Sequence, residues 1–274
     1  MATLRVSKFV EVNGHPNYVD IDGKPSGPVM LCCHGLGGST NLFQPLITTY
    51  AAKFKIIRFD FKGLARTGHD SQCKRRITIP AYVEDVAALL AHEEINEPVV
   101  LVGHSLGSVV LMHYAAQFPS KVHALVLLGP GKTRANVPAA KAFILGMAKN
   151  ARELGMPAMA DGTVAKNVAP SSSDVVRAFV REVIAAQSGE GYAQVCEAAC
   201  DETHVDPEYG RISCPTMIIA GDQDLISSID TAREIQGAIT GSLLEVVKAG
   251  HQHVLEDPQG VVQAMNVILE KPLA

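Results

Sequence analysis

Tryptophan is absent from this chain, and Phe, Tyr and Trp together supply only 5% of its 274 residues. A small-molecule pocket built from it must therefore be lined mainly by aliphatic and Met side chains with a few Phe. Phe43, Phe143, Met147 and Met156 are candidates, with ordinary packing as the alternative for each. Runs of one charge are missing as well. The formal net charge is -4, and a tract such as Lys74-Arg75-Arg76 is too short to follow a phosphate backbone, so it reads as a solvated loop and nucleic acid is excluded as a partner. No apolar run approaches the roughly 20 residues needed to span a bilayer, and Met1 to Val10 lacks the apolar stretch of a signal peptide. The expectation is a cytoplasmic protein with no membrane partner. No repeat or low-complexity segment is present.

The six cysteines lack zinc-ligand spacing. Cys32 and Cys33 are adjacent and cannot pair without strain, and Cys196 and Cys200 lie in a helical pattern. All six read as reduced packing residues, and no metal or cofactor is expected.

A hydrophobic fraction of 47% with 19% charged residues suits one large core. Short runs are apolar throughout: Pro28–Cys33, Val99–Val102, Leu125–Leu128 and Met217–Ala220. Strands of that kind are covered on both faces, which implies a parallel sheet under helices. Ile56–Phe59 and Leu244–Val247 read as further strands, and the first twenty residues as an antiparallel hairpin turned at Asn13-Gly14. Helical periodicity marks Pro80–Glu94, Leu106–Phe118 with Pro119 as its stop, and Val261–Leu269. The alternation predicts a doubly wound α/β fold with a mostly parallel, eight-stranded sheet. From 131 to 206 no strand is evident. Helical patterns at Ala139–Leu154, Asp174–Ala186 and Tyr192–Cys200 predict an inserted helical cap, with 1–130 and 207–274 forming the core. Such a cap would lie over the carboxyl edge of the sheet, where open α/β sheets bind ligands.

The chemistry is concentrated in the loops that follow strands. Gly103-His104-Ser105-Leu106-Gly107 is a G-x-S-x-G sequence between a strand and a helix, the context in which a serine is held exposed on a sharp turn above a helix N-terminus. His34-Gly35-Leu36-Gly37-Gly38 follows an earlier strand. The expected oxyanion-hole donors are the backbone amides of Leu36 and Leu106, and His34 is read as shaping the loop. On such a fold the order is Ser, then acid, then His. In Gly221-Asp222-Gln223-Asp224, Asp224 is the favoured acid because it lies further past the strand, with Asp222 the alternative. In Gly250-His251-Gln252-His253, His251 is the expected base and His253 the alternative. Ser105, Asp224 and His251 are thus the expected catalytic residues. Histidines 15, 69, 92, 113, 123 and 204 are assigned surface or core roles. Arg66 is read as a solvated loop charge, with pairing to a substrate carboxylate as the alternative.

Taken together, His34 to Gly38, Phe59-Asp60 with Gly63, Gly103 to Gly107, Gly221 to Asp224, and Gly250-His251 with Glu256 and Pro258 make the chain resemble the α/β-hydrolase superfamily over nearly its whole length. In that superfamily the acid is the fourth residue of the G-x-x-D turn, which supports Asp224. Gly191-Tyr192-Ala193, Cys196-Glu197-Ala198 and Ile212–Thr216 are similar to the 3-oxoadipate enol-lactonase group. The loop after the fourth strand departs from the pattern. Where an arginine-glycine pair and then glycine and serine are usual, this chain has Phe61-Lys62-Gly63-Leu64-Ala65-Arg66-Thr67, which opens the way to a different substrate. Serine at the turn argues against the dehalogenases and epoxide hydrolases of this fold, which use aspartate. The resemblance implies hydrolysis of a small-molecule ester or lactone through an acyl-enzyme, by a monomer or homodimer. The alternatives are a slow, ligand-sensing receptor-like member and a carbon–carbon bond hydrolase.

Overall fold

A computed structural model describes residues 4–133 and 135–270. Among these residues the strands are β1 (Leu4–Val12), β2 (His15–Gly23), β3 (Val29–Cys33), β4 (Lys55–Phe59), β5 (Val99–His104), β6 (Val122–Leu128), β7 (Thr216–Gly221) and β8 (Leu243–Val247). The helices are α1 (Gln44–Tyr50), α2 (Ile79–His92), α3 (Leu106–Gln117), α4 (Pro138–Glu153), α5 (Met156–Asn167), α6 (Asp174–Ala185), α7 (Gly189–Ala199), α8 (Ile229–Ala238), α9 (His253–Glu256) and α10 (Pro258–Leu269).

The eight strands form one sheet in the order β1-β2-β4-β3-β5-β6-β7-β8. β1 and β2 pair antiparallel around Asn13-Gly14, both at positive φ, and β2 pairs antiparallel with β4. From β4 to β8 every neighbour is parallel. The uniformly apolar strands arise because alternate side chains enter two separate cores. Leu31, Leu101, Leu125 and Ile218 pack on the side of α2, α3 and α8. Met30, Val100, Val126 and Met217 pack on the side of α1 and α10.

From β3 the chain moves to β4 on one side and then crosses to β5 on the other, so the loops leaving β3 and β5 flank a topological switch point. Those loops carry Leu36 and Ser105.

Between β6 and β7 the chain inserts α4, α5, α6 and α7. Three of these match the periodic patterns of the sequence within a few residues. α5 is the addition: Pro157, Gly162 and its many small residues give MPAMADGTVAKN little helical periodicity, although proline in the first turn is compatible with a helix. No helix of the described residues is long and apolar enough to cross a membrane, and all six cysteines are free.

A buried polar network stiffens the sheet beside β2 and β4. Arg58 joins the Asp22 carboxylate and donates to Thr40 O at 2.9 Å, while Thr40 Oγ1 donates to Asp20 Oδ2 at 2.6 Å. Asp60 accepts from Thr40 N at 2.7 Å and from Arg66 Nε at 3.0 Å. Arg66 is exposed, as the reading of a solvated loop charge expects, and it is also paired within the protein. Its guanidinium stacks 4.1 Å from the centre of the Tyr18 ring and is committed to Asp60. Arg58 and Asp22 are buried, so removing one charge strands the other. Arg58→Leu is expected to lower the unfolding free energy by about 3–5 kcal/mol. Urea denaturation measures it, and a loss below about 1 kcal/mol would show the pair to be dispensable.

Candidate active site

Ser105 occupies the turn between β5 and α3 at φ 53°, ψ -115°. A non-glycine residue held there costs on the order of 1–3 kcal/mol, which the surroundings must over-determine. They do so through Ser105 N donating to Leu128 O at 2.9 Å and Val109 N donating to Ser105 O at 3.2 Å. Gly107 and Gly103 are required by close approach. A Cβ on Gly107 would meet Cys33 O at 2.0 Å, and one on Gly103 would meet Ser108 N at 2.6 Å.

His251 is fixed from three directions. Its Nδ1 donates to Asp224 Oδ2 at 2.7 Å, its backbone N–H donates to Asn167 O at 2.7 Å, and its carbonyl accepts from His104 Nε2 at 2.6 Å. A carbonyl only accepts, so His104 carries its proton on Nε2. Likewise the Asp224 bond places the His251 proton on Nδ1 and leaves Nε2 basic. The other Asp224 oxygen accepts from the amides of Ile226 at 2.7 Å and Ser227 at 2.9 Å. Burial alone would raise the Asp224 pKa, but His251 and His253 beside it and the hydrogen bonds it accepts from His251 and the Ser227 amide together outweigh burial and hold it down to about 2. Asp222 is exposed and pairs with Lys248 Nζ at 2.8 Å. Of the two aspartates, Asp224 is the one at the histidine.

Ser105 and His251 line a single cavity of about 690 Å3, together with Leu36 and Leu106. Among the described residues no hydrogen bond joins Ser105 Oγ to His251; such bonds are often long in unliganded sites and tighten with substrate. The backbone N–H groups of Leu36 and Leu106 donate to no protein acceptor among the described residues, the second because it opens α3. Phe143 and Met147 line the cavity, as expected from the sequence. Phe43 and Met156 do not: Phe43 fills the core beside Leu46, and Met156, which opens α5, is buried within the insertion. His34 donates from Nδ1 to Gly35 O at 2.8 Å and accepts Phe61 N–H at 3.2 Å, so it braces the loop.

Two residues outside the sequence reading of the site hold its loops. Just past α6, Gln187 donates to Gly37 O at 3.2 Å and Gly38 O at 3.3 Å while accepting from Ala65 N at 2.7 Å. Glu256 accepts from Gln252 N at 2.9 Å, Ala169 N at 2.8 Å and the Ser172 hydroxyl. Glu256 stood in the sequence only as part of a family pattern, and Gln187 carried no signal, because its partners are brought to it by the folded insertion.

His253, the alternative base, is fully buried 3.6 Å from Asp224 Oδ2, with neither ring nitrogen hydrogen bonded. Burial lowers its pKa to about 4 from the ordinary 6.5. The folded chain thus refuses a proton that the unfolded chain accepts. The corresponding stability is complete above pH 6.5 and declines as pH falls toward 4. His104 and His34 are also lowered by burial and act in the same direction. The protein is expected to melt at a lower temperature at pH 5 than at pH 7. His253→Gln should remove on the order of 2 kcal/mol of that loss. An unchanged pH slope in thermal melts of the variant would exclude His253 as a contributor.

Residues 28–258 match the family described as the alpha/beta hydrolase fold, and the chain belongs to that family. It is 28% identical over 253 residues to 3-oxoadipate enol-lactonase 2 of Acinetobacter baylyi, covering 91% of each protein. Among solved structures it is similar to the enol-lactonase from Burkholderia xenovorans, with TM-score 0.86 and 25% identity over 96% of this chain and 100% of that one. A thermophilic esterase from Thermogutta terrifontis shares the fold, with TM-score 0.85 and 23% identity over 98% of each chain.

Proposed function

We propose that this member of the α/β-hydrolase family is a serine hydrolase of small-molecule carboxylic esters or lactones. The observation that carries the proposal is the meeting of three features at one cavity. They are a strained Ser105, a His251 whose tautomer is set by the buried Asp224, and two backbone N–H groups without acceptors. Relatives named as enol-lactonases and an esterase support the same chemistry.

The steps follow from these groups. His251 Nε2 takes the proton of Ser105 Oγ as that oxygen bonds to the substrate carbonyl carbon. The carbonyl oxygen becomes an oxyanion, which the N–H groups of Leu36 and Leu106 receive at the α3 N-terminus. The tetrahedral centre expels the alkoxide, which takes the proton from His251, and an acyl-enzyme remains. Water then attacks, giving one proton to His251; Ser105 leaves and recovers that proton as the acid is released. Asp224 holds the imidazole and offsets its transient positive charge. No cofactor enters. Residues 131–206 act as a cap over the core of 1–130 and 207–274, covering the cavity in which the substrate is held.

Mass spectrometry after treatment with a fluorophosphonate probe should give one adduct on the wild type and none on Ser105→Ala. Asp224→Asn should retain the melting profile but lose about 10³–10⁴ in kcat on a nitrophenyl ester. Labelling at another residue, or undiminished turnover in Asp224→Asn, would sink the assignment.

A further inference from the structure

The cavity is larger and more apolar than a small polar lactone requires. Its 690 Å3 lies well inside the roughly 300–1,000 Å3 range of pockets that enclose a drug-sized ligand. Ile144 and Met147 of α4 and Val180, Val183 and Ile184 of α6 all line it. At the rim stand Phe143, Leu154 and Leu225, which are 53%, 63% and 78% exposed. One exposed apolar side chain is ordinary, but three around one mouth mark a surface that an apolar partner covers.

Gly162 adds a second observation. It lies inside α5 and lines this cavity. A glycine in a helix interior costs about 1 kcal/mol relative to alanine. The usual structural reasons are missing here: its φ is not positive, and an added Cβ would meet nothing within 4 Å. What its missing side chain preserves is room. Ala158, one turn earlier, continues the open edge. Lys166, one turn later, sets its ammonium 4.9 Å from the centre of the Phe143 ring. Among the described residues no Asp or Glu lines the cavity; its charged groups there are Lys166 and Lys132, and Lys132 already pairs with Glu234 at 3.1 Å. Nothing there would balance a cationic ligand.

We infer that the substrate is a neutral or anionic ester bearing a long apolar chain, and that Gly162 is a specificity-determining residue that keeps the chain's path open. The chain runs from Ser105 between α4 and α6 to the rim formed by Phe143, Leu154 and Leu225. This inference rests on the serine-hydrolase reading above.

The test is kcat/KM for nitrophenyl acetate, butyrate, octanoate and decanoate with wild type, Gly162→Trp and Gly146→Trp. Gly146 is the control: it lies within α4, its added Cβ would also meet open space, and it does not line the cavity. Wild type is expected to favour decanoate over acetate by at least about tenfold. Gly162→Trp should lose at least about tenfold on decanoate while acetate stays within about twofold, with Gly146→Trp unchanged on both. A preference for acetate, an equal loss on both esters in Gly162→Trp, or the same loss in the control overturns the chain inference and leaves the hydrolase reading standing. No turnover of any ester, with no fluorophosphonate adduct on Ser105, overturns the hydrolase reading and this inference with it.

Discussion

The short bond between His251 Nδ1 and Asp224 Oδ2 is the contact on which the rest of the site depends. A neutral imidazole has one donor and one acceptor, so fixing the donor defines the acceptor. The carboxylate can do this only because it stays charged while buried. The Ile226 and Ser227 amides donate to its other oxygen, and the histidine itself supplies a further hydrogen bond. The backbone of His251 is held independently, by His104 beside Ser105 and by Asn167 at the end of α5. The ring is thus positioned by Asp224, the turn that carries Ser105 and the end of α5.

Much of the core was legible in the sequence because its signals are local. Unbroken apolar runs such as Val99–Val102 reflect two-faced burial, and their spacing from helical stripes implied the parallel order. Ser105 was legible because the strand, the glycine spacing and the helix coincide within a few residues. The candidate acid and base could be narrowed to pairs, and three-dimensional neighbours show which members meet: Asp224 bonds His251, while Lys248 pairs with Asp222 and His253 is buried without a hydrogen bond. α5 escaped detection because its small residues and Gly162 leave little periodic contrast. Gln187 escaped because a lone polar residue after a helix has no pattern until the loop it grips is in place.

The loop after β4 shows why a departure from a family pattern needs geometry to interpret. Phe61 to Thr67 differs from the usual residues, yet Arg66 is tied inward by Asp60 and stacked on Tyr18. The same loop offers its Ala65 amide to Gln187 and lets Gly63 approach Gly191 so closely that a Cβ on Gly191 would meet Gly63 O at 2.1 Å. Its sequence serves the fit between core and insertion, and the cavity is lined instead by α4 to α7 and by the loops that carry Leu36, Ser105 and His251.

Gln187 and the segment around Asn167 give the insertion a hold on both halves of the chemistry: the glycine loop beside Leu36 and the turn bearing His251. Thermodynamic coupling of this kind is reciprocal. A ligand that draws the two loops into register must strengthen the attachment of α5 and α6 by the same free energy with which those helices favour the ligand. Occupancy and the local unfolding of the insertion are therefore one equilibrium viewed from two ends. Undocking of α5 and α6 would therefore release two loops at once, the glycine loop through Gln187 and the turn of His251 through Asn167.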